Sequence, residues 1–274
     1  MKIGYLGPEG TFSEQAATEY SSVFENSYMI KFPTIYKVIQ AVANDEVDYA
    51  VVPFENSIEG TVTTTLDSLI FDFDLYIKTE IVINIEQNLL IKKGCNVKNI
   101  NKIISHQQGI SQCEKFIRKY YPNAIIETVS STSEAARVVS ISDGDVASIS
   151  PSRSADVYNL DIAYNSIQDD NKNATRFLVI TKEDTRFKSI DKTSIVFSTE
   201  NKPGELYKIL DIISIWDLNM TKIESRPKKH ELGTYCFFAD LESNNLNDLQ
   251  DALKMVERKT IFYKNLGSYS TFNK

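Results

Sequence analysis

Three side chains of different chemistry, Thr175, Arg176 and Phe177, stand in front of an apolar run, Leu178-Val179-Ile180. A strand built this way holds a hydroxyl, a guanidinium and a ring at its mouth. The guanidinium is a fork that can take a carboxylate through two parallel hydrogen bonds. The hydroxyl is a poor free acid, but a positioned donor in a water-poor cleft contributes about 10²–10⁴-fold in rate. Phe177 offers a wall or a packing anchor. Plain structural roles exist as well: threonine suits strands, and Arg176 could pair with Asp169 or Asp170 nearby in the chain. A second polar group, Glu55-Asn56-Ser57, follows another apolar run. Asn56 and Ser57 supply donors and acceptors, or simply a turn. Glu55 serves as a general acid only if its pKa is raised, because an ionised Glu55 repels an anion.

The elements that must position these groups follow from periodicity. Apolar runs predict strands over 2–6, 49–53, 81–91, 102–104, 124–129, 145–149 and 176–181. Helical spacing predicts helices over 13–20, 35–44, 109–120, 133–141 and 152–158. Their alternation argues for α/β units around mainly parallel sheets. Five junctions after strands carry small polar residues, among them Gly10-Thr11, Gly60-Thr61, Ser105-His106, Ser130-Ser131 and Ser150-Pro151-Ser152. Thr11 with Glu14 fits a capping box. Open α/β sheets bind ligands at the carboxyl ends of their strands, where helix N-termini offer free N–H groups to anions. Ser and Thr cap helices everywhere, so each junction alone has an ordinary explanation. Five of them make a shared anion-binding cleft an equal alternative.

A charged stretch, 182–192, separates a second module. Strands at 193–199, 220–225, 234–241 and 261–269 alternate with helices at 204–216 and 246–258, the middle strands meeting around Lys228-Lys229-His230-Glu231. This order, β-α-β-β-α-β, is the ferredoxin-like plan.

With 274 residues, 42% hydrophobic and 24% charged, the chain has the size of two domains and the composition of a soluble globular protein. Its net charge of −7 gives no overall field for nucleic acid or an anionic membrane. An anionic substrate therefore needs a local site of opposite polarity. No apolar run approaches the roughly 18 residues of a membrane span, and Met1-Lys2 with Ile3-Gly4-Tyr5-Leu6-Gly7 is too short and interrupted a stretch for a signal segment to be expected. Cys95, Cys113 and Cys236 are odd in number and widely spaced, which suits a reduced cytoplasm. Two histidines, His106 and His230, are too few for a histidine-built metal site. Asn173-Ala174-Thr175 and Asn219-Met220-Thr221 fit a glycosylation pattern that has no meaning without secretion. The glycines assemble neither a phosphate loop nor a dinucleotide fingerprint, so no cofactor is expected.

Taken in order, four segments resemble the prephenate dehydratases. They are Gly4-Tyr5-Leu6-Gly7-Pro8-Glu9-Gly10-Thr11-Phe12-Ser13, Pro53-Phe54-Glu55-Asn56-Ser57 with Gly60-Thr61-Val62, Ser105-His106-Gln107-Gln108 with Gln112-Cys113, and Thr175-Arg176-Phe177. The family usually has proline where Gln107 stands. The resemblance implies a cofactor-independent lyase that turns prephenate, a small dicarboxylate, into phenylpyruvate for phenylalanine synthesis. Decarboxylation supplies the electrons, and aromatisation makes the reaction strongly downhill. The family's essential threonine falls on Thr175, with Arg176, Phe177, Asn56 and Ser57 as its catalytic neighbours. Gly10, Thr11, Glu55, Thr61, Ser105 and His106 are the implied substrate contacts; no metal is implied. By resemblance, 1–184 is a catalytic region of two lobes like a periplasmic binding protein, with the second lobe, about 80–165, inserted.

After a linker at 185–192, residues 193–274 resemble an ACT domain, the amino-acid-binding regulatory module of these enzymes. Glu224-Ser225-Arg226-Pro227 matches its effector motif, and Gly204-Glu205-Leu206-Tyr207 stands where Gly-Ala-Leu-Val is usual. The resemblance implies feedback by L-phenylalanine through Gly204, Leu206 and Glu224 to Pro227, held between paired ACT domains of a homodimer or homotetramer. Because residue 1 already opens the dehydratase motif, a monofunctional chain is expected. Two other readings share much of this pattern: an arogenate dehydratase on the same fold, and a non-catalytic amino-acid or solute sensor.

Overall fold

The computed structural model describes residues 1–189, 191–228 and 233–272, arranged as three sheets with helices packed against them. The first sheet begins with three parallel strands, β1 (Lys2–Leu6), β2 (Tyr28–Phe32) and β3 (Tyr49–Asn56). Their crossovers are α1 (Phe12–Ser21) and α2 (Ile35–Ala43). Ala16, Ala17 and Tyr20 of α1 bury one face of this sheet, and Val38, Ile39 and Val42 of α2 bury the other. A short hairpin strand β4 (Gly60–Thr61) leads through α3 (Thr63–Asp67) and a π-helical turn, Ser68–Asp72, into β5 (Tyr76–Asn84).

The chain then crosses to a second lobe of β6 (Asn88–Lys92), β7 (Lys102–Ser105), α4 (Gln107–Ser111), α5 (Glu114–Tyr120), β8 (Ile125–Thr128), α6 (Thr132–Ser140), β9 (Val146–Ser150), α7 (Ser152–Tyr158) and β10 (Leu160–Tyr164). It returns as β11 (Ala174–Thr181), inserted antiparallel between β3 and β5. The crossings, 85–87 and 165–173, run side by side: Ile85 N–H donates to Asn173 O and Ile167 N–H to Gln87 O, both at 2.8 Å.

The remaining residues form β12 (Lys192–Ser198), α8 (Glu205–Ile215), β13 (Asn219–Pro227), β14 (Tyr235–Glu242), α9 (Leu246–Lys259) and β15 (Phe262–Tyr269). Their antiparallel order, β13-β14-β12-β15, is ferredoxin-like. The face of this sheet away from its helices lies on the first lobe. Val52, Phe54, Leu178 and Ile180 share one apolar core with Val196, Phe238, Leu266 and Tyr269. Lys264 reaches across to donate to the carbonyls of Leu69 and Phe73, at 3.0 and 2.6 Å, with Asp74 Oδ1 3.5 Å from its Nζ.

Three expectations differ. The run 81–91 is two strands in two sheets, because its apolar residues bury the crossing as well as both ends. The helix expected over 109–120 breaks at Cys113, where the Asp169 carboxylate takes the Lys115 N–H at 3.2 Å and starts α5 afresh. Strands β2 and β10 are sheet edges whose exposed residues dilute their pattern. Lys229, His230 and Glu231 of the expected turn lie outside the described residues. Among the described residues no helix is long and apolar enough to cross a membrane, and no cluster of three His, Cys, Asp or Glu is placed to hold a metal ion.

Candidate active site

The pairing of β3 with β11 sets the site. Thr175 lies opposite Asn56 and Arg176 opposite Glu55, but Phe177 lies opposite Pro53. Phe54 is therefore a bulge, and it shifts the alternation of the strand by one. Pro53 and Asn56, which a regular strand would point to opposite sides, both join Thr175 and Phe177 in lining a cleft of about 390 Å³ between the lobes. Phe54, Glu55 and Arg176 face the ferredoxin-like sheet instead.

Thr175 is 9% exposed. Asn56 Nδ2 donates to Thr175 Oγ1 at 2.9 Å and to Asn173 Oδ1 at 2.8 Å. The orientation of this amide is fixed from behind, because Asn56 Oδ1 accepts the N–H groups of Ile58 and Glu59 at 3.0 and 3.1 Å. A threonine oxygen that already accepts must use its own hydrogen as a donor elsewhere. Among the described residues no acceptor takes it, and the side chain opens into the cleft.

Around this hydroxyl, three helices start. Thr11 Oγ1 accepts from Glu14 N at the head of α1, His106 Nδ1 from Gln108 N at α4, and Ser131 Oγ from Glu134 N at α6. Thr11, His106 and Ser131 all line the cleft, with Thr61 and Gln87 between them. The partial positive charge of helix N-termini favours an anion there. No lysine or arginine is among the described residues lining the cleft, and Glu59 is its one carboxylate.

Five expected site residues sit elsewhere. Ser105 is fully buried and donates to Ile149 O at 2.7 Å; its neighbour His106 takes the cleft side of the strand end. Ser57 is exposed and clips its loop to β11, accepting from Ala174 N at 3.0 Å. Glu55 accepts Lys222 Nζ at 2.7 Å on the far face. Gly10 lies between the lobes, with φ +81° and Ser133 Oγ and Ser154 Oγ each 2.9 Å from where a Cβ would be. Arg176 meets neither the cleft nor Asp169 or Asp170: Nη1 lies 2.6 Å from Asp240 Oδ2, and Nη2 donates to Tyr269 OH at 2.8 Å. Its Nε is 2.6 Å from Glu80 Oε2, an ion pair outside hydrogen-bond geometry. Burial alone would lower the Arg176 pKa, but Tyr269, Asp240 and Glu80 outweigh this and hold the guanidinium protonated. Sequence reasoning missed Gln87 in the cleft; a polar residue inside the apolar run 81–91 was the visible signal.

The lobes are latched by Glu14 of α1 and Arg153 of α7, with Nε and Nη2 at 2.9 and 3.0 Å from its two oxygens. Burial alone would raise the Glu14 carboxyl, yet hydrogen bonds from Arg153 and the Gly10 N–H outweigh it and hold the pKa below its ordinary value. A lowered folded pKa means stability present above the unfolded value and lost as pH falls through the folded one. Glu14→Gln is therefore expected to melt below the parent at pH 7, with the gap closing as pH drops below about 4, the ordinary carboxylate value. Calorimetry between pH 7 and pH 3 checks this; a gap that ignores pH would remove the charge from the account.

On the other side, Lys222, Glu224 and Arg226 alternate along β13 and face the first lobe. Lys222 Nζ donates to Thr61 Oγ1 at 2.8 Å, the Thr61 hydroxyl donates to Glu224, and Arg226 holds both Asp67 oxygens at 2.8 Å. Ser225 and Pro227 fall on the other face by the strand's two-residue period. Gly204 caps α8 at φ +83°, a conformation that favours glycine, and Leu206 packs on the core beneath the sheet. Ser225 pairs with Phe237 and Phe237 with Phe197, so the loop ending at Gly204 shares one end of the sheet with Glu224 to Pro227.

A two-lobed α/β fold whose cleft gathers hydroxyls, amides and helix N-termini, joined to a ferredoxin-like unit, defines a class of proteins suited to small anions. The chain belongs to the prephenate dehydratase family, whose profile matches residues 3–185. It is 39% identical over 275 residues to the prephenate dehydratase of Methanocaldococcus jannaschii, covering 98% of each chain. It is also 39% identical over 270 residues to the bifunctional chorismate mutase/prephenate dehydratase of Aquifex aeolicus, covering 98% of this chain and 73% of that one. The crystal structure of prephenate dehydratase in complex with L-Phe from Arthrobacter aurescens matches with a TM-score of 0.88 at 30% identity, covering 98% of this chain and 90% of that one. The protein is thus a lyase that dehydrates and decarboxylates prephenate.

Proposed function

We propose that Thr175 is the acid of this reaction and that Asn56 aims it. The observation that carries the reading is the hydrogen bond from Asn56 Nδ2 to Thr175 Oγ1, 2.9 Å, which leaves the threonine hydrogen for the cleft. As the ring carboxylate departs as carbon dioxide, its bonding electrons move into the ring and the carbon–oxygen bond to the ring hydroxyl breaks. That oxygen takes the Thr175 hydrogen and leaves as water. Asn56 donates to the negative charge growing on Oγ1, the placement that makes preorganised donors effective. Water in the cleft returns a proton to Oγ1, so the net reaction consumes one proton. The helix starts at Thr11, His106 and Ser131, rather than Arg176, receive the substrate carboxylates.

Asn56→Asp tests the aim at constant size. The new carboxylate can only accept, so it turns the threonine hydrogen away from the cleft, while Asn173 can rotate its unpartnered Nδ2 to meet it. The expected loss is about 10²–10³-fold in kcat, the range for removing one preorganised donor. Unchanged turnover would overturn the assignment. Offering arogenate beside prephenate measures the preference between the two substrates.

The reading extends to regulation. Residues 1–184 act as the catalytic unit, 185–192 as a connector and 193–274 as an ACT domain that binds L-phenylalanine near Gly204, Leu206 and Glu224 to Pro227. The relative from Arthrobacter aurescens was solved with L-Phe. Exposed Tyr207, Ile215, Ile223 and Tyr235 on that unit give a second copy an apolar surface, which supports a homodimer or homotetramer.

A further inference from the structure

We propose that Arg176 is a positioning residue, tying the reacting threonine to the ferredoxin-like unit through a buried cluster of charges, and does not bind substrate. The proposal rests on prephenate as the substrate and on Thr175 as its acid. Neighbouring residues of a strand point to opposite faces, so the guanidinium next to Thr175 in sequence is aimed away from the cleft. It meets three strands of the ferredoxin-like sheet: Asp240 on β14, Tyr269 on β15, and through both of them Ser194 on β12. Ser194 Oγ lies 2.5 Å from Asp240 Oδ1 and 2.6 Å from Tyr269 OH. Glu80 of β5 closes the cluster, accepting Lys192 Nζ at 2.7 Å and Thr271 Oγ1 at 2.8 Å. Arg176 and Lys192 balance Glu80 and Asp240 in charge, and the side chains of Glu80 and Asp240 are only 4% and 1% exposed.

A buried ion pair seldom stabilises a fold more than apolar residues of the same volume. What this cluster supplies is a fixed position. The Arg176 Cζ also sits 5.1 Å from the ring centre of Phe54, the bulge residue, whose ring centre is 5.2 Å from that of Phe238. One side chain thus pins β11, the bulge in β3 and the ferredoxin-like sheet together. The bulge is what brings Asn56 beside Thr175. A shift of the ferredoxin-like sheet is therefore transmitted to the Asn56–Thr175 hydrogen bond, and it changes the chemical step more than substrate binding.

The test compares Arg176→Gln, Arg176→Lys, Asp240→Asn and the Arg176→Gln/Asp240→Asn pair in the full chain. An interaction used only in the transition state lowers kcat, whereas uniform substrate binding raises KM. Arg176→Gln and Asp240→Asn are each expected to lower kcat about tenfold or more with KM within about threefold. The pair is expected to fall no further than the worse single variant, as for residues of one network. Arg176→Lys keeps the charge and is expected to recover part of kcat. A rise of about tenfold in KM at unchanged kcat in Arg176→Gln, with Asp240→Asn silent, would make Arg176 a carboxylate ligand and overturn the proposal. Should Arg176→Gln fail to fold, Asp240→Asn decides alone, because Asp240 is remote from the cleft: unchanged kcat there overturns the coupling. Turnover of prephenate by the parent is the control; its absence would defeat the catalytic reading and not the coupling.

Discussion

Replacing Thr175 by alanine is expected to lower kcat for prephenate about 10²–10⁴-fold, the contribution of a placed proton donor. The loss belongs to chemistry and not to folding. Asn56 Nδ2 keeps Asn173 Oδ1 and Ala174 O as acceptors after the hydroxyl is gone, so no buried donor is orphaned. The stability change is then of the order of one hydrogen bond, about 1 kcal/mol. Thr175→Ser keeps the oxygen but frees its rotamer, because a β-branched side chain is stiffer at χ1, and it is expected to fall between the two. Phenylpyruvate formation at saturating prephenate measures all three. An alanine variant within threefold of the parent would remove Thr175 from the mechanism.

Phe238→Ala is expected to destabilise the whole chain by about 3–5 kcal/mol, the usual range for emptying a buried phenylalanine site. Phe238 is fully buried, and its ring meets Phe54 of the catalytic lobe in a core that both units share. Units that share a core lose it together. The parent and the variant are therefore each expected to melt in one transition, the variant's at lower temperature. Calorimetry showing two transitions, with the catalytic one unmoved by the substitution, would refute the shared core.

Much of this arrangement was legible in the residues. Apolar alternation and helical spacing located most elements, and the order 193–269 was readable because each strand there has its own turn signals. The paired motifs around Asn56 and Thr175 pointed to partners that the structure brings within 2.9 Å. The face of Arg176 was legible too, in retrospect: if Thr175 opens into the cleft, strand geometry sends its neighbour the other way. The same alternation separates Ser105 from His106. Other features depend on distant partners and leave no local trace. The break at Cys113 needs Asp169, which arrives from the returning crossing. The run 81–91 is apolar throughout because two lobes bury it in turn, and hydrophobicity does not record which. The bulge at Phe54 had only Pro53 as a hint, since proline lacks a ladder donor and is confined to strand edges and bulges.

That extra residue in β3 gives unusual weight to the register of one strand pair. A strand paired regularly through this point, with the bulge smoothed into the ladder, would keep every catalytic letter, yet set Thr175 opposite Glu55 and turn the asparagine out of the cleft. Lost in that way, the amide no longer backs the threonine, while the lobes, the helix starts and the room for a dicarboxylate all persist. Such a protein would hold its substrate and turn it over far more slowly, so on this scaffold catalyst and receptor stand one step of register apart.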